Sequence, residues 1–212
     1  MDRTQGAPLS DPLPVGRVEE ACGAALKLFL ERGYDNTPMS LIAKELGLTK
    51  AGVYHHFESK EHLLYVIHKN TMERLLLPVI EKAERIAGAE QRLRSFVLEY
   101  ARLLTRDSSA RILISEARRL TPEHFEEIRL VWRRGFELVR SAIVELKRAG
   151  RCAKGLNPTY AAFAAIGMCS WIFYWYDYSR QDSGQEVAAT MAEVFLNGVL
   201  KPISTRKRTA RG

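Results

Sequence analysis

An all-α fold of about nine helices is what the sequence predicts, and three observations predict it. Apolar residues return every third or fourth position along almost the whole chain, the spacing that keeps one helix face toward a core. The period-two alternation that a half-buried strand needs is absent. The periodic runs are separated by Gly, Pro, Ser or Thr, residues that cap or stop helices. With 212 residues, 46% of them hydrophobic and 27% charged, the chain can bury a sizeable core in one large domain or two small ones.

Residues 1–16 are Pro-rich, lack the apolar core of a signal peptide and are expected to form a disordered arm. Arg17 to Arg32 reads as the first helix, with Val18, Ala21, Cys22, Ala25, Leu28 and Phe29 on one face and Gly33 as its stop. Pro38 to Leu46 is a short second helix, with Thr37 as its cap and Pro38 at its first position. Lys50 to His56 is a third, capped by Thr49, and Ser59 or Glu58 opens a long fourth running to about Ile86. Glu90 to Arg106 repeats Leu93, Phe96, Val97, Tyr100, Leu103 and Leu104. Ser109 to Leu120 follows, and Thr121-Pro122-Glu123 begins a long helix ending near Gly150. Asn157-Pro158 starts an all-apolar helix that takes in WIFYWYDY (171–178); those aromatics would suit a strand, but no partner strand is in sight. Ser183-Gly184 separates it from a last helix carrying Val187, Met191, Val194, Phe195 and Val199. Residues 204–212 read as a disordered basic tail.

Composition narrows the function classes. Leu156 to Tyr176 carries no charge and has bilayer length, yet it holds Asn157, Pro158, Thr159, Ser170 and several alanines, so burial between protein partners is expected and no membrane span. Cys22, Cys152 and Cys169 are scattered without CxxC spacing, which argues for a reducing, cytoplasmic compartment and against a disulfide framework. The histidines form no HExxH site, the glycines no phosphate loop, and the cysteines have no evident His partner. No catalytic residue, metal or cofactor is therefore expected, and the chain does not read as an enzyme. The net charge of +7 is uneven: −2 over residues 1–68 and +7 over 69–154. By charge alone the front of the chain would not be read as binding nucleic acid.

Local pattern says otherwise. In LIAKELGLTKAGVYHHFESKEHLL, residues 41–64, Ile42 and Leu46 share a face, Ala43 leaves room for a crossing helix, Gly47 can take positive φ, and Leu48 fills the corner. Val53 and Phe57 close the core from the next helix. Two helices too short to stand alone, joined at a steep angle by a glycine, are a helix-turn-helix. In that motif the N-terminal residues of the second helix meet base edges in the major groove, here Thr49, Lys50, Ala51 and Gly52. Lys50 can donate to guanine, and Ala51 can touch a thymine methyl. Tyr54, His55 and His56 suit phosphates, as does Lys60 at the start of the next helix, and Thr37 at a helix N-terminus is a further candidate.

The stretch ALKLFLERGYDNTPMSLIAKELGLTKAGVYHHFESKEHLL resembles the DNA-binding domain of the tetracycline-repressor (TetR) family. It carries that family's Gly-aromatic, Thr, Ile-Ala, Gly-Leu-Thr-Lys, Tyr-x-His-Phe and Ser-Lys-Glu-x-Leu order from about Arg17 to Leu64. Two departures stand out: Ser40 and Leu41 replace an acidic residue, and Gly52 replaces a Thr or Ser. The resemblance implies a DNA-binding domain over 17–64, a ligand-binding and dimerisation domain over 65–203, a homodimer, and a double-stranded palindromic operator as partner. The dimer is expected to use Ala161, Ala164, Ala165 and Ile172 on one helix and Val187, Met191, Phe195 and Val199 on the next, in a four-helix bundle. An effector chamber is expected among Phe96, Tyr100, Leu104, Ile114, Trp132, Phe136, Met168, Trp171 and Trp175, with Arg118 and Arg133 at an arginine-rich mouth. SEARRLTPEHFEEIRLVWRRGFELVRSAI is similar to the matching segment of TetR-type regulators of fatty-acid, sterol or aromatic-acid catabolism, several of which respond to acyl-CoA thioesters. A ligand-responsive bacterial repressor, released by a small hydrophobic effector such as an acyl-CoA, is the expectation. The competing expectation is a dimeric helical ligand-binding adaptor that no longer binds DNA.

Overall fold

The computed structural model describes residues 15–179 and 183–201. In chain order its α-helices are α1 (Val15–Arg32), α2 (Met39–Glu45), α3 (Lys50–Tyr54), α4 (Lys60–Thr71), α5 (Leu77–Glu84), α6 (Ala89–Arg106), α7 (Ile112–Ser115), α8 (Pro122–Arg148), α9 (Pro158–Ser170), α10 (Ile172–Trp175) and α11 (Gly184–Val199). No strand forms among the described residues; Cys152 and Leu200 make one isolated bridge. The chain divides into two compact units. One runs up to Glu73 and includes Ser109–Arg129; the other joins Arg74–Ser108 to the residues from Leu130 onward. The expected arm and tail lie outside the described residues, save Val15 and Gly16, which open α1.

In the first unit, α1 buries Ala21, Cys22, Ala25, Leu28 and Phe29 against α2 and α4. The seven-residue α2 and five-residue α3 are too short to persist alone and pack against each other, with Ile42, Ala43 and Val53, and Phe57 just beyond, buried. Thr37 does not cap α2. Pro38 occupies that position with no side-chain cap, while Thr37 is 0% exposed and its hydroxyl donates to the Gly33 carbonyl at 2.9 Å. Its oxygen is drawn inward because the last carbonyls of α1 lack helical partners. α3 ends at Tyr54, two residues short of His56.

The expected single helix from Ser59 to Ile86 starts as read, with Ser59 Oγ accepting from the His62 amide at 2.9 Å. A π-turn, Met72–Leu76, then interrupts it before α5. Pro78 explains the break: it lacks an N–H, and its ring displaces the carbonyl four residues back, that of Arg74 inside the turn. The expected helix over Ser109–Leu120 is also broken, into the short α7 between two 3₁₀ turns, Ser108–Arg111 and Ala117–Arg119. Ser108, Ser109, Ile112, Ile114 and Ser115 are weak helix formers. This segment belongs with the first unit because it folds onto α4. The Thr121 amide donates to Glu61 at 2.8 Å, His124 Nδ1 lies 2.9 Å from the same carboxylate, and the Tyr65 and His124 rings stack at 3.9 Å. The contacts therefore do not divide at residue 64.

In the second unit α6 is central and packs against α5, α9, α10 and α11. Its buried face carries Leu93, Phe96, Val97, Tyr100, Ala101 and Leu104. α9 turns Ala161, Ala162, Ala165 and Cys169 inward, small side chains that let backbones approach. Gly135 serves the same purpose on α8, where a Cβ would lie 3.4 Å from Ile80 Cδ1 and 3.5 Å from Phe96 Cζ. The WIFYWYDY stretch forms only the four-residue α10 before Tyr176 leaves the helix in extended backbone. No helix among the described residues is long and apolar enough to cross a membrane.

Candidate nucleic-acid interface

The corner between α2 and α3 is built by hydrogen bonds that Gly47 permits. At φ +64° it lets its own amide reach Lys44 O at 3.2 Å and the Leu48 amide reach Ala43 O at 2.9 Å. This paired closure ends α2 abruptly. Thr49 then caps α3 by accepting from the Gly52 amide at 3.0 Å. A Cβ on Gly52 would sit 3.3 Å from that same Thr49 oxygen, so a side chain there would press on the cap.

With Val53 buried, the opposite face of α3 looks out. Thr49, Lys50, Ala51, Tyr54 and His55 are exposed, and Gly52, His56 and Lys60 are half-buried. Lys50 Nζ lies 5.7 Å from the Tyr54 ring, and the His55 and His56 rings meet edge to face at 5.0 Å. Burial, and then the neighbouring His55, hold the His56 pKa below the ordinary 6.5, so it would offer a neutral N–H donor near pH 7. Lys60 Nζ sits 4.0 Å above the centre of the Tyr34 ring. Burial lowers its pKa, with Asp35 opposing and Arg119 reinforcing. Of the residues predicted to meet DNA, the structure gathers Thr49 to His56 and Lys60 around α3 and the start of α4. Thr37 is a correction: its hydroxyl is turned into the protein and bonded there.

The residues predicted to hold an effector are more scattered. Phe96, Tyr100 and Leu104 are buried in the second unit, and Trp132, Phe136 and Met168 are half-buried there. Phe96 and Tyr100 stack at 5.7 Å, Phe136 meets Phe163 at 4.6 Å, and the Tyr100 hydroxyl is 3.0 Å from Ser170 Oγ. Burial pushes the Tyr100 pKa up to about 12. Ile114, half-buried, and Arg118, exposed, belong to the first unit. Trp171 and Trp175 are corrections: both are exposed, because α9 turns its alanines inward and Trp171 lies on its other side. Most of the arginine cluster resolves into ion pairs, Arg119 with Asp35, Arg129 with Glu126, Arg134 with Glu84 and Arg140 with Glu137. Arg118 and Arg133 are exposed and make no ion pair among the described residues. An open cleft of about 550 Å³ is polar, lined by Glu99, Arg102, Thr105, Arg106, Gly184 and Gln185, and none of the predicted effector residues faces it.

Most of the residues predicted for a dimer face turn inward. Ala161, Ala165, Ile172, Phe195 and Val199 are buried within the subunit itself, whereas Ala164 is exposed and Val187 and Met191 are half-buried. The outward stripe of α9 is Tyr160, Phe163, Ala164, Gly167 and Trp171, continued by Tyr174; on α11, Val194 is exposed. Phe163 and Trp171 are each 61% exposed. Tyr34, Asp35 and Arg119, which surround Lys60, were not foreseen. Gly33-Tyr34 carried a signal, an aromatic after a helix stop, but nothing near Arg119 announces contact with a residue 84 positions away.

Comparison with known proteins adds two family matches. Residues 23–66 match the pattern described as bacterial regulatory proteins, tetR family, and residues 87–199 match the tetracyclin repressor-like C-terminal domain. The fatty acid metabolism regulator protein of Bacillus subtilis (strain 168) is 24% identical over 145 residues, 68% of this chain and 75% of that protein. The HTH-type transcriptional activator FasR of Mycolicibacterium smegmatis is 31% identical over 93 residues, 44% of this chain and 42% of that protein. Among solved structures, AibR in complex with isovaleryl coenzyme A and operator DNA superposes with a TM-score of 0.77 at 28% identity, covering 84% of this chain and 97% of that one.

Proposed function

Because this chain belongs to the tetR family of bacterial regulatory proteins, we propose that it is a homodimeric repressor released from a palindromic operator by a small hydrophobic effector. One observation carries the DNA-binding part: α3 follows a glycine-closed corner, buries Val53, and turns Thr49, Lys50, Ala51, Tyr54 and His55 to solvent. That face supplies the donors and small apolar groups that base edges require. Two copies present it twice, about 34–36 Å apart in successive major grooves. The aromatic stripe of α9 and α10 supports pairing with a second copy, since a soluble subunit rarely leaves so much contiguous apolar surface bare.

An acyl-CoA thioester is the effector this reading favours. The similar AibR is described with isovaleryl coenzyme A, and the Bacillus subtilis relative is named for fatty acid metabolism. Phe96, Tyr100, Leu104, Trp132, Phe136 and Met168 would take an acyl chain, and an exposed cation such as Arg133 a phosphorylated carrier. A tenfold release needs about 1.4 kcal/mol of differential affinity between the two states.

The experiment selects duplexes from a random pool with the wild-type dimer and compares Lys50→Ala on the winners. Wild type should select an imperfect palindrome, with affinity falling as salt rises. Lys50→Ala should lose about a hundredfold of its preference, the loss of one good base contact of about tenfold in each half-site, at unchanged dimer mass. A wild type with no preference over random DNA would leave the ligand-binding adaptor in its place. Calorimetry that shows heat with an uncharged hydrophobe but none with any acyl-CoA would overturn the effector assignment alone.

A further inference from the structure

We infer that Arg119 and Asp35, acting through the ring of Tyr34, are positioning residues that hold Lys60 for a DNA phosphate. The inference rests on the DNA-binding reading above. All four residues lie in the first unit, although Arg119 comes from the 3₁₀ turn Ala117–Arg119, far along the chain from the helix-turn-helix.

The geometry is that of one ring shared by two cations. Lys60 Nζ is 4.0 Å from the Tyr34 centroid, and the Arg119 guanidinium carbon is 5.6 Å from it. Left alone, two positive groups on one ring would repel and drive the more mobile lysine away. The structure offsets this by pairing Arg119 with carboxylates that also face Lys60. Its Nη1 donates to Asp35 Oδ1 at 2.9 Å, its Nη2 to Asp35 Oδ2, and its Nε lies 3.5 Å from Glu116 Oε2. Lys60 can then rest on the negative face of the ring. The effect is preorganisation. A lysine side chain loses much rotamer freedom on gripping a phosphate, and one already ordered on an aromatic face loses less on binding. Lys60 also opens α4, with Ser59 at its cap, and a helix N-terminus is the place where a helix favours an anion. Removing Arg119 would release Asp35 and Glu116 to draw the ammonium sideways; removing the ring would let it wander.

The test is the salt dependence of binding to a duplex selected by the wild-type protein, measured on the full-length dimer. Lys60→Met loses one phosphate contact per subunit, so the slope of log affinity against log salt should become shallower by about 2. Tyr34→Leu and Arg119→Met should each reproduce that change, and neither should alter the slope further when combined with Lys60→Met. Tyr34→Phe keeps the ring and should keep the wild-type slope. Arg119 is at the surface, so its variant should fold, as thermal melting will confirm. If Tyr34→Leu and Arg119→Met lower affinity or melting temperature while the slope stays at the wild-type value, their role is structural and the inference fails. A steeper slope for Tyr34→Leu would mean that the ring sequesters Lys60 from DNA, which also overturns it. An unchanged slope for Lys60→Met sinks the inference and leaves the DNA-binding reading standing. A wild type without salt-sensitive binding sinks both.

Discussion

The helix-turn-helix and the α9–α10 region partition their side chains in opposite ways. In α2 and α3 the apolar residues Ile42 and Val53, with Phe57 just beyond, face inward, and solvent sees Thr49, Lys50, Ala51 and His55 with one aromatic, Tyr54. In α9 and α10 alanines and Cys169 share the interior with Ile172, and solvent sees Tyr160, Phe163, Trp171 and Tyr174. The first surface is content in water until a duplex arrives. The second keeps apolar area hydrated at a continuing cost, about 25 cal/mol for each Å² that a partner could cover. A polar face is stable bare, whereas an aromatic stripe gains free energy when it is covered.

Charge on the stripe should give the largest effect. Phe163→Glu with Trp171→Glu is expected to convert dimer to monomer in sedimentation, with little loss of subunit stability because both side chains are already exposed. Ile172→Ala, on the buried side, should do the reverse: lower folding stability by about 2–5 kcal/mol. Dimer mass unchanged in the first variant would show that the stripe is not where the copies meet.

A second measurement sharpens the account of the first unit. His68 is fully buried on α4, neither ring nitrogen has a hydrogen-bond partner among the described residues, and burial lowers its pKa from 6.5 to about 4. The unfolded chain therefore takes up the proton first. Stability is full above pH 6.5 and declines as pH falls toward 4, by roughly 3 kcal/mol in all. His68→Leu should remove that part of the acid sensitivity in urea midpoints taken from pH 7 to pH 4. Parallel curves for the variant and wild type would contradict it.

The smallest expected effect is at the cap of α3. Thr49→Ala loses the bond to the Gly52 amide and should destabilise the unit by about 1 kcal/mol in urea unfolding. DNA preference should weaken with it. No change in either would mean that α3 is held by packing alone.

The exposed face of α3 was nearly all legible in the sequence. Gly47, Thr49, Val53 and Phe57 specify the corner and the buried face through contacts within a few positions of one another. Thr37 was misread because a threonine before a proline looks like a cap, and only the carbonyls of Leu28 and Gly33 nearby show where its hydroxyl goes. Which side of α9 turns inward was less legible. α9 is apolar on every side, so spacing gives no sign of which side is buried, and Ala161, Ala165 and Ile172 of the predicted stripe are packed inside the subunit. Arg119 beside Asp35 had no local trace at all.

What the sequence by itself determined is the helical class, most of the stops and caps, and the helix-turn-helix, all of which follow from propensities and hydrogen bonds spanning about four residues. Only the tertiary structure decided that Ser109–Arg129 folds onto α4, that α9 hides its alanines and shows its aromatics, and that Tyr34 carries Lys60. Those outcomes depend on which surfaces meet across many tens of residues, and burial is a property of the partner as much as of the side chain.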